Sequence, residues 1–528
     1  MDVLRTISTR HTAQSEPADP RQVKNSAGGY TFVIDDVSRL RRFLMLGVDG
    51  GTYYTTPKPL AKENAEVVRR LATSDPETLV ATIVTVSVSG VAPKQQPALF
   101  ALACATAIPE SSALALAALP QVARTGMHLL TFAAYVEQFR GWGRGLRRAV
   151  AGWYTGKDAD AVAYQAVKYR QREGWSHRDL LRLAHPATDV PSMRATFGWI
   201  VRGSLTAEVP TLIEGFVKAQ EATDAVTWAR LVREHRLTWE MLPDAALAET
   251  DVWDALLDNG LPQTALLRQL PRLTRLGMLP AFGGRTKEIA RRLTDADWLR
   301  KARVHPVNVL VAQRTYASGR SARGVAEWKP TRRITDALDQ AFYNAFGAIE
   351  PSGKRTFLAV DVSGSMGVPI SGLPITAREA SAALALVQLA TEPDAVAYGF
   401  ASGTTWSDAN LRELDISPRK RLDDALKVID AMPMGGTDCA APMAYARANG
   451  LEVDTFVVYT DNETWAGGVH PHQALGDYRR ATGIDAKLVV VGMTATGFTI
   501  ADPDDSGMLD VVGFDAAVPG LISEFARG

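Results

Sequence analysis

Cysteine is nearly absent: the 528 residues contain two, Cys104 and Cys439, far apart in sequence, and no apolar leader follows Met1. A disulfide-built secreted scaffold is thereby excluded, and the cytoplasm is the expected compartment. Long apolar runs are also missing. The most apolar stretch, Ala98 to Leu119, is broken by Pro109, Glu110, Ser111 and Ser112. Its uninterrupted pieces fall short of the roughly 20 residues a membrane span needs, so no transmembrane segment and no membrane partner are expected. Net charge is lacking as well, with 58 Lys and Arg against 58 Asp and Glu. The balance conceals a division. Residues 351–528 hold 13 basic against 23 acidic side chains, which leaves 45 against 35 in residues 1–350. A basic front part suggests an anionic partner such as nucleic acid.

What remains is ordinary globular composition, 46% hydrophobic and 22% charged, which excludes a disordered chain or a coiled coil. At roughly 150 residues per domain the length calls for several structural units. From about Ser38 to Phe346, apolar residues recur at three- and four-residue spacing, as in Leu60, Val67, Val68, Leu71, or Leu256, Leu257, Leu261, Leu266, Leu267, Leu270. Breaks at Ser74-Asp75-Pro76, Ala92-Pro93, Gly141, Gly152, Gly174, Pro186, Pro191, Asn259-Gly260 and Gly283-Gly284 divide them into short amphipathic helices. That pattern predicts an α-solenoid with degenerate repeats. The first 30 residues, rich in Ser, Thr, Pro, Asn and Gly, read as an arm or loosely attached strand.

After Pro351-Ser352-Gly353 the period changes. Thr356 to Val360, Ala395 to Phe400, Thr455 to Tyr459, Leu488 to Val491 and Val511 to Phe514 are runs of strand length. Helical segments at Ala377 to Ala390, Leu422 to Ala431 and Gln473 to Thr482 separate them. Alternating strands and helices predict a doubly wound parallel sheet, with ligands at the carboxyl ends of its strands. The expected organisation is an arm over residues 1–30, a helical domain over 31–350 and an α/β domain over 351–528.

Directly after the first of these strands stands Asp361-Val362-Ser363-Gly364-Ser365; Thr437 lies on a later loop and Asp461 follows the third strand. Asp361, Ser363, Ser365, Thr437 and Asp461 are hard oxygen donors with no imidazole or thiolate among them, a set suited to Mg²⁺, or else Mn²⁺. This constellation resembles the metal-ion-dependent adhesion site of von Willebrand factor A domains. The resemblance implies an open metal position that accepts a partner's carboxylate, hence binding and not catalysis.

Between Arg140 and Arg182 there are ten basic residues against four acids: Arg140, Arg144, Arg147, Arg148, Lys157, Lys168, Arg170, Arg172, Arg178 and Arg182. Trp142, Trp153, Tyr154, Tyr164, Tyr169 and Trp175 are interleaved with them. Cations that reach phosphates and rings that stack on bases are the combination RNA binding uses. Lys168 and Arg172, four apart, are expected to share a helix face; Gly174 ends that helix, and Ser176 with Asp179 caps the next, which carries Arg178, Arg182 and His185. A second basic stretch, Arg285 to Arg333, holds thirteen basic residues and four acids. A solvated helix surface with packed aromatics is the competing reading for each cluster. His177 and His185 lack a third donor nearby, which argues against zinc.

Leu46 to Tyr54 (LGVDGGTYY), Lys168 to Leu183 (KYRQREGWSHRDLLRL), and His305-Pro306-Val307-Asn308 through Tyr316-Ala317-Ser318-Gly319, ahead of an A domain, resemble the Ro autoantigen family, whose helical unit is called a TROVE module. The resemblance covers nearly the whole chain. It implies a monomeric ring of HEAT-like repeats closed by the A domain, with Y RNA on the outer basic surface and single-stranded 3′ ends of misfolded noncoding RNA in the central hole. It further implies that Lys168, Arg172 and His185 contact Y RNA, and that the ring works with polynucleotide phosphorylase or another 3′ exoribonuclease. The function expected is thus a non-enzymatic scaffold for noncoding-RNA quality control. The alternatives are a protein-binding adaptor acting through the metal site without RNA, and a metal-dependent nuclease; the latter is disfavoured because the clustered carboxylates of a two-metal centre are missing.

Overall fold

The computed structural model describes residues 11–47, 65–321, 325–347, 349–370, 375–401, 411–418, 420, 422–432, 435–513 and 515–528. Leu60 and most of the Leu46 to Tyr54 motif lie outside them.

The amphipathic periodicity between residues 36 and 344 becomes α-helices of 6 to 14 residues. The spaced leucines point inward as expected: Leu256, Leu257, Leu261, Leu266, Leu267 and Leu270 are all buried, as are Val67, Val68 and Leu71. The first helices stack in two rows. Asp36–Leu46, Pro76–Ser89, Pro109–Val122, Arg144–Thr155 and His177–Ala184 pack in succession, and beside them so do Glu66–Ser74, Gln96–Ala105, Gly126–Phe139 and Ala159–Lys168. This is the helix-pair stacking of a solenoid. Gly152 does not break a helix, contrary to expectation: Arg144–Thr155 runs through it to a cap at Gly156. A helical glycine costs about 1 kcal/mol relative to alanine, less than the burial of Leu146, Val150, Trp153 and Tyr154 on the same helix returns.

In chain order the strands among the described residues are β1 (Gln22–Lys24), β2 (Tyr30–Val33), β3 (Gln171–Arg172), β4 (Trp175–Ser176), β5 (Thr356–Asp361), β6 (Ala395–Phe400), β7 (Leu411–Glu413), β8 (Thr455–Thr460), β9 (Lys487–Gly492), β10 (Phe498–Thr499) and β11 (Met508–Val512). The main sheet has the order β11-β9-β8-β5-β6-β7, with all neighbours parallel except β7, which runs antiparallel along the edge. One face, with Leu358, Val360 and Val489, joins the large core of the helical unit; Phe357, Ala359 and Val490 build a second core on the other side. Four expected strands fall where the sequence placed them. The fifth is found at Met508–Val512, some three residues before the expected Val511 to Phe514, and Phe514 lies outside the described residues.

The N-terminal segment is more firmly held than a loose arm. β1 and β2 form an antiparallel hairpin, and β10 from the A domain pairs with the free edge of β2, Phe498 opposite Val33. Backbone groups of the segment find partners on the A domain: Gln14 N donates to Gly467 O at 2.9 Å and Ala27 N to a Glu463 carboxylate oxygen at 2.9 Å.

The solenoid closes into a ring. Ser89 to Val91, at the end of the Pro76–Ser89 helix, face Ala296 to Val304 and Tyr343 to Gly347 from the last helices across a cleft of 650 Å³ that Val387, Thr391 and Ala516 of the A domain complete. Arg42 near the start of the helical unit pairs with Asp510 at 2.7 Å, and Arg314 near its end pairs with Glu379 at 2.5 Å. Both ends therefore dock on the A domain.

Candidate nucleic-acid cleft and metal centre

The region Lys168 to Leu183 folds as helix, hairpin and helix, which corrects one expectation. The first helix ends at Lys168, and Arg172 lies on β3, paired with Trp175 of β4, so the two cations do not share a helix face. The turn explains why: Glu173 (φ 49°) and Gly174 (φ 81°) are both left-handed, the requirement of a tight hairpin turn and incompatible with a continuing helix. The capping prediction holds. Ser176 accepts from Asp179 N, and the Asp179 carboxylate accepts from Ser176 N at 3.0 Å and Ser176 Oγ at 2.6 Å, starting the helix His177–Ala184; Arg178 and Arg182 lie on it, but His185, expected there too, is its left-handed cap (φ 46°).

That hairpin and helix, with the helices Pro191–Arg202 and Thr211–Glu221, enclose a cleft of 1090 Å³. Arg170, Arg178, Arg182 and Arg202 line it, together with Trp199 and Phe216, whose rings meet edge to face at 6.1 Å. The Arg170 guanidinium lies 5.4 Å from the centre of the Phe216 ring. Among the described residues none of these four arginines forms a salt bridge, so their charge is left for a ligand. His177 in the cleft wall is buried and hydrogen-bonded through Nδ1 to the Tyr154 hydroxyl at 2.7 Å. Burial holds its pKa down at about 4, so it adds no charge near neutrality.

Other expected RNA-binding residues lie elsewhere. Lys168 Nζ is half-buried against the Tyr164 hydroxyl at 3.0 Å and Glu240 at 3.6 Å. Arg172 is exposed and pairs with Glu173 at 3.1 Å. Arg140 donates to Thr106 O and to Ser112 Oγ, closing a helix end, while Arg144 and His185 are exposed outside the cleft lining. Of the interleaved aromatics, Trp153 and Tyr154 are core and cannot stack on a base. Trp142 and Trp175 pack on each other with ring centres 5.2 Å apart. The second basic stretch is paired with acids at four of its thirteen positions among the described residues: Arg285 binds Asp254, Asp258 and Glu288, Arg300 binds Asp297, Arg314 binds Glu379 and Arg332 binds Asp336.

The metal candidates converge where the sheet order reverses, between β5 and β8, the usual ligand position of such sheets. Asp361 ends β5, and its carboxylate accepts from Ser363 N at 2.9 Å and Thr460 Oγ1 at 2.8 Å. Ser363 Oγ and Ser365 Oγ are 2.9 Å apart, and Asp461 Oδ1 accepts from Glu463 N at 3.0 Å. All five candidates are buried. Burial, then the neighbouring Asp461 charge, lifts the Asp361 pKa to about 7; burial also raises Asp461. Thr437 Oγ1 and Asp461 Oδ2 have no hydrogen-bond partner. Two neighbouring buried carboxylates, both held toward protonation, and two orphaned oxygens form a donor set that a small divalent cation would satisfy, so the residues present fit Mg²⁺.

Comparison with known proteins follows this geometry. Residues 355–526 match the Ro60 vWA domain family, and residues 23–222 and 229–316 match the TROVE domain family. The chain belongs to the Ro family. The RNA-binding protein RO60 of Deinococcus radiodurans is 44% identical over 536 residues, covering 100% of this chain and 99% of that protein. RNA-binding protein RO60 of Caenorhabditis elegans is 34% identical, covering 98% and 91%. The crystal structure of the Deinococcus radiodurans RO (RSR) protein superposes with a TM-score of 0.71 over 94% of this chain and 100% of that one.

Within this Ro-family chain the third motif is structural. His305 Nδ1 accepts from Val307 N at 3.1 Å to start the helix Pro306–Ala317, and the buried Tyr316 hydroxyl bonds Thr274 Oγ1 at 2.9 Å and Thr331 N at 3.1 Å. Sequence reasoning missed Trp199, Arg202 and Phe216. The signal available was the Trp-Ile-Val-Arg-Gly run closing a helix, a ring and a cation three apart and so on one face.

Proposed function

We propose that this chain is a non-catalytic RNA-binding scaffold. A structured RNA of the Y RNA class binds through the basic cleft and the outer surface around it. Single-stranded 3′ ends of misfolded noncoding RNA enter the hole of the ring, and a 3′ exoribonuclease such as polynucleotide phosphorylase acts on what the ring presents. The observation that carries this reading is the cleft, with four arginines beside Trp199 and Phe216 that have no carboxylate partner among the described residues. Guanidinium forks bind phosphate in two-point fashion, and aromatic rings give unpaired bases a stacking surface. The names of the two relatives support the RNA-binding part of this reading. Asp361, Ser363, Ser365, Thr437 and Asp461 would hold Mg²⁺, which supplies a Lewis-acidic position for a partner's oxygen. Asp361 and Asp461 are the only carboxylates of that set, which supports a binding role over hydrolysis.

The test is titration of a structured RNA and a short single-stranded RNA at several salt concentrations. Changing Arg178 and Arg182 together to Ala should weaken structured RNA and flatten its slope of log affinity against log salt by roughly 1 to 2 units. Lys168→Ala with Arg172→Ala should act less, since both cations already have acidic partners. Equal loss for both RNAs would remove the two-site reading. Nucleotide release from single-stranded RNA by the purified chain with Mg²⁺, abolished by Asp361→Ala, would establish a nuclease instead.

A further inference from the structure

We infer that Gln14 is a positioning residue for the metal centre, stapling the loop of Thr437 to the loop of Asp461; the inference rests on the metal reading above. Gln14 is fully buried although it lies in the N-terminal segment, far from both loops in sequence. Its Nε2 donates to Asp438 Oδ1 at 2.8 Å and to Val469 O at 2.8 Å, and its Oε1 accepts from Thr464 Oγ1. One amide thus joins the residue after Thr437 to the residue three beyond Asp461.

The backbone around it keeps the amide in place. Gln14 N donates to Gly467 O at 2.9 Å, and Gln14 O accepts from Tyr30 N at 2.9 Å. Farther along, Asn25 Nδ2 donates to Thr464 O at 2.7 Å. Two glycines admit this approach: a Cβ at Gly29 would collide with Thr464 O, and one at Gly467 with both the Asp438 carboxylate and the Gln14 amide.

The Thr464 hydroxyl has a single proton. It gives that proton to Gln14 Oε1 and accepts from Cys439 N at 3.1 Å, while Thr437 O stands 3.4 Å away as the alternative acceptor. Without the glutamine the proton turns to Thr437 O, and the Asp438 carboxylate loses a donor. Both changes pull on the loop that presents Thr437 Oγ1. Mg²⁺ and Mn²⁺ require near-octahedral geometry, so small displacements of one ligand cost affinity. Groups that orient metal ligands typically contribute 10- to 100-fold.

The experiment measures Mn²⁺ binding to the full chain by the free-ion resonance signal, alongside thermal unfolding in chelator. Gln14→Ala should lower Mn²⁺ affinity about tenfold or more, with little change in the metal-free unfolding temperature. Arg21→Ala, on the same segment but bound to Asp502 and Asp504, should leave Mn²⁺ affinity unchanged. If Gln14→Ala does not fold, Gln14→Met keeps the volume without the amide and carries the same test. Binding within twofold of wild type in the folded variant overturns the inference alone, and so does an equal loss in Arg21→Ala. No Mn²⁺ bound by wild type, or unchanged binding in Asp461→Ala, overturns the metal reading itself.

Discussion

Arg42, buried in the helix Asp36–Leu46, reaches both carboxylate oxygens of Asp510 on β11 at 2.7 Å each, and its other terminal nitrogen donates to Thr496 O at 2.7 Å and Phe498 O at 3.0 Å. The first helix of the solenoid is thereby fixed to the last strand of the A domain. Removing one partner of a buried ion pair costs about 3 to 5 kcal/mol; Asp510 is partly exposed and Arg42 Nε has no hydrogen-bond partner, so the low end applies here. Arg42→Ala should therefore lower the urea midpoint and separate the unfolding of the helical unit from that of the A domain. A single transition at the wild-type midpoint would show that the pair does not close the ring.

The metal centre predicts a pH dependence of definite sign. Asp361, held at about 7 by burial and by Asp461, keeps its proton in the folded chain while an unfolded aspartate has lost it near 4. Between these values the folded state binds more protons, so the site's contribution to stability falls as pH rises from about 4 to 7. In chelator, Asp361→Asn should gain stability relative to wild type as pH is raised from 5 to 8, because the amide has no charge to bury. Added Mg²⁺ should reverse the order at pH 8 by stabilising only wild type. A difference between the two proteins that does not change with pH would contradict the coupled pair.

His177 gives the opposite sign. Burial holds its pKa at about 4, so the folded ring is neutral where an unfolded histidine is charged. Its contribution to stability is complete above about 6.5 and is lost as pH falls from there toward 4, by at most about 1.4 kcal/mol per pH unit. With ¹³C-labelled histidine, the His177 ring signal should remain that of neutral imidazole at pH 5.5. Titration near 6.5 would place the ring in water and undo the packing of the cleft wall on Tyr154.

How far the sequence carried can be judged at particular residues. Periodicity located the helices and four of the five long strands because each is a local property of consecutive side chains. The donors Asp361 and Asp461 were legible because sheet topology alone brings strand ends together. The β1–β2 hairpin and its pairing with β10 were not, since strands of two to four residues carry little pattern and their partner lies more than 460 positions away. Gln14 was invisible for the same reason. At Lys168 to Arg172, four-residue spacing suggested one helix face, but spacing alone cannot show that Glu173 and Gly174 turn the chain back. Trp153 and Trp199 show the limit for aromatics: composition treats them alike, yet one is buried under Lys157 and the other lines the basic cleft.

That hairpin carries the last prediction. Gly174 has φ 81° and open space where a Cβ would point, so the obstacle to substitution is backbone conformation and not crowding. A β-branched residue in the left-handed region costs about 1 to 2 kcal/mol, and Gly174→Val should put that strain on the two paired positions, Gln171 with Ser176 and Arg172 with Trp175. The hairpin is small, with β3 exposed and β4 half-buried, so global stability should change little, while amide exchange at Arg172 and Trp175 should quicken about fivefold or more. Arg170 and Gln171 border the cleft from this side, so structured RNA should bind less tightly and short single-stranded RNA about as well as before. Gly174→Asn separates conformation from chemistry, because asparagine tolerates the left-handed region and should restore most of both properties. If valine and asparagine weakened structured RNA equally, the loss would come from side-chain bulk at the RNA surface. If neither changed exchange or binding, the turn would not be what sets Arg170 at the mouth of the cleft.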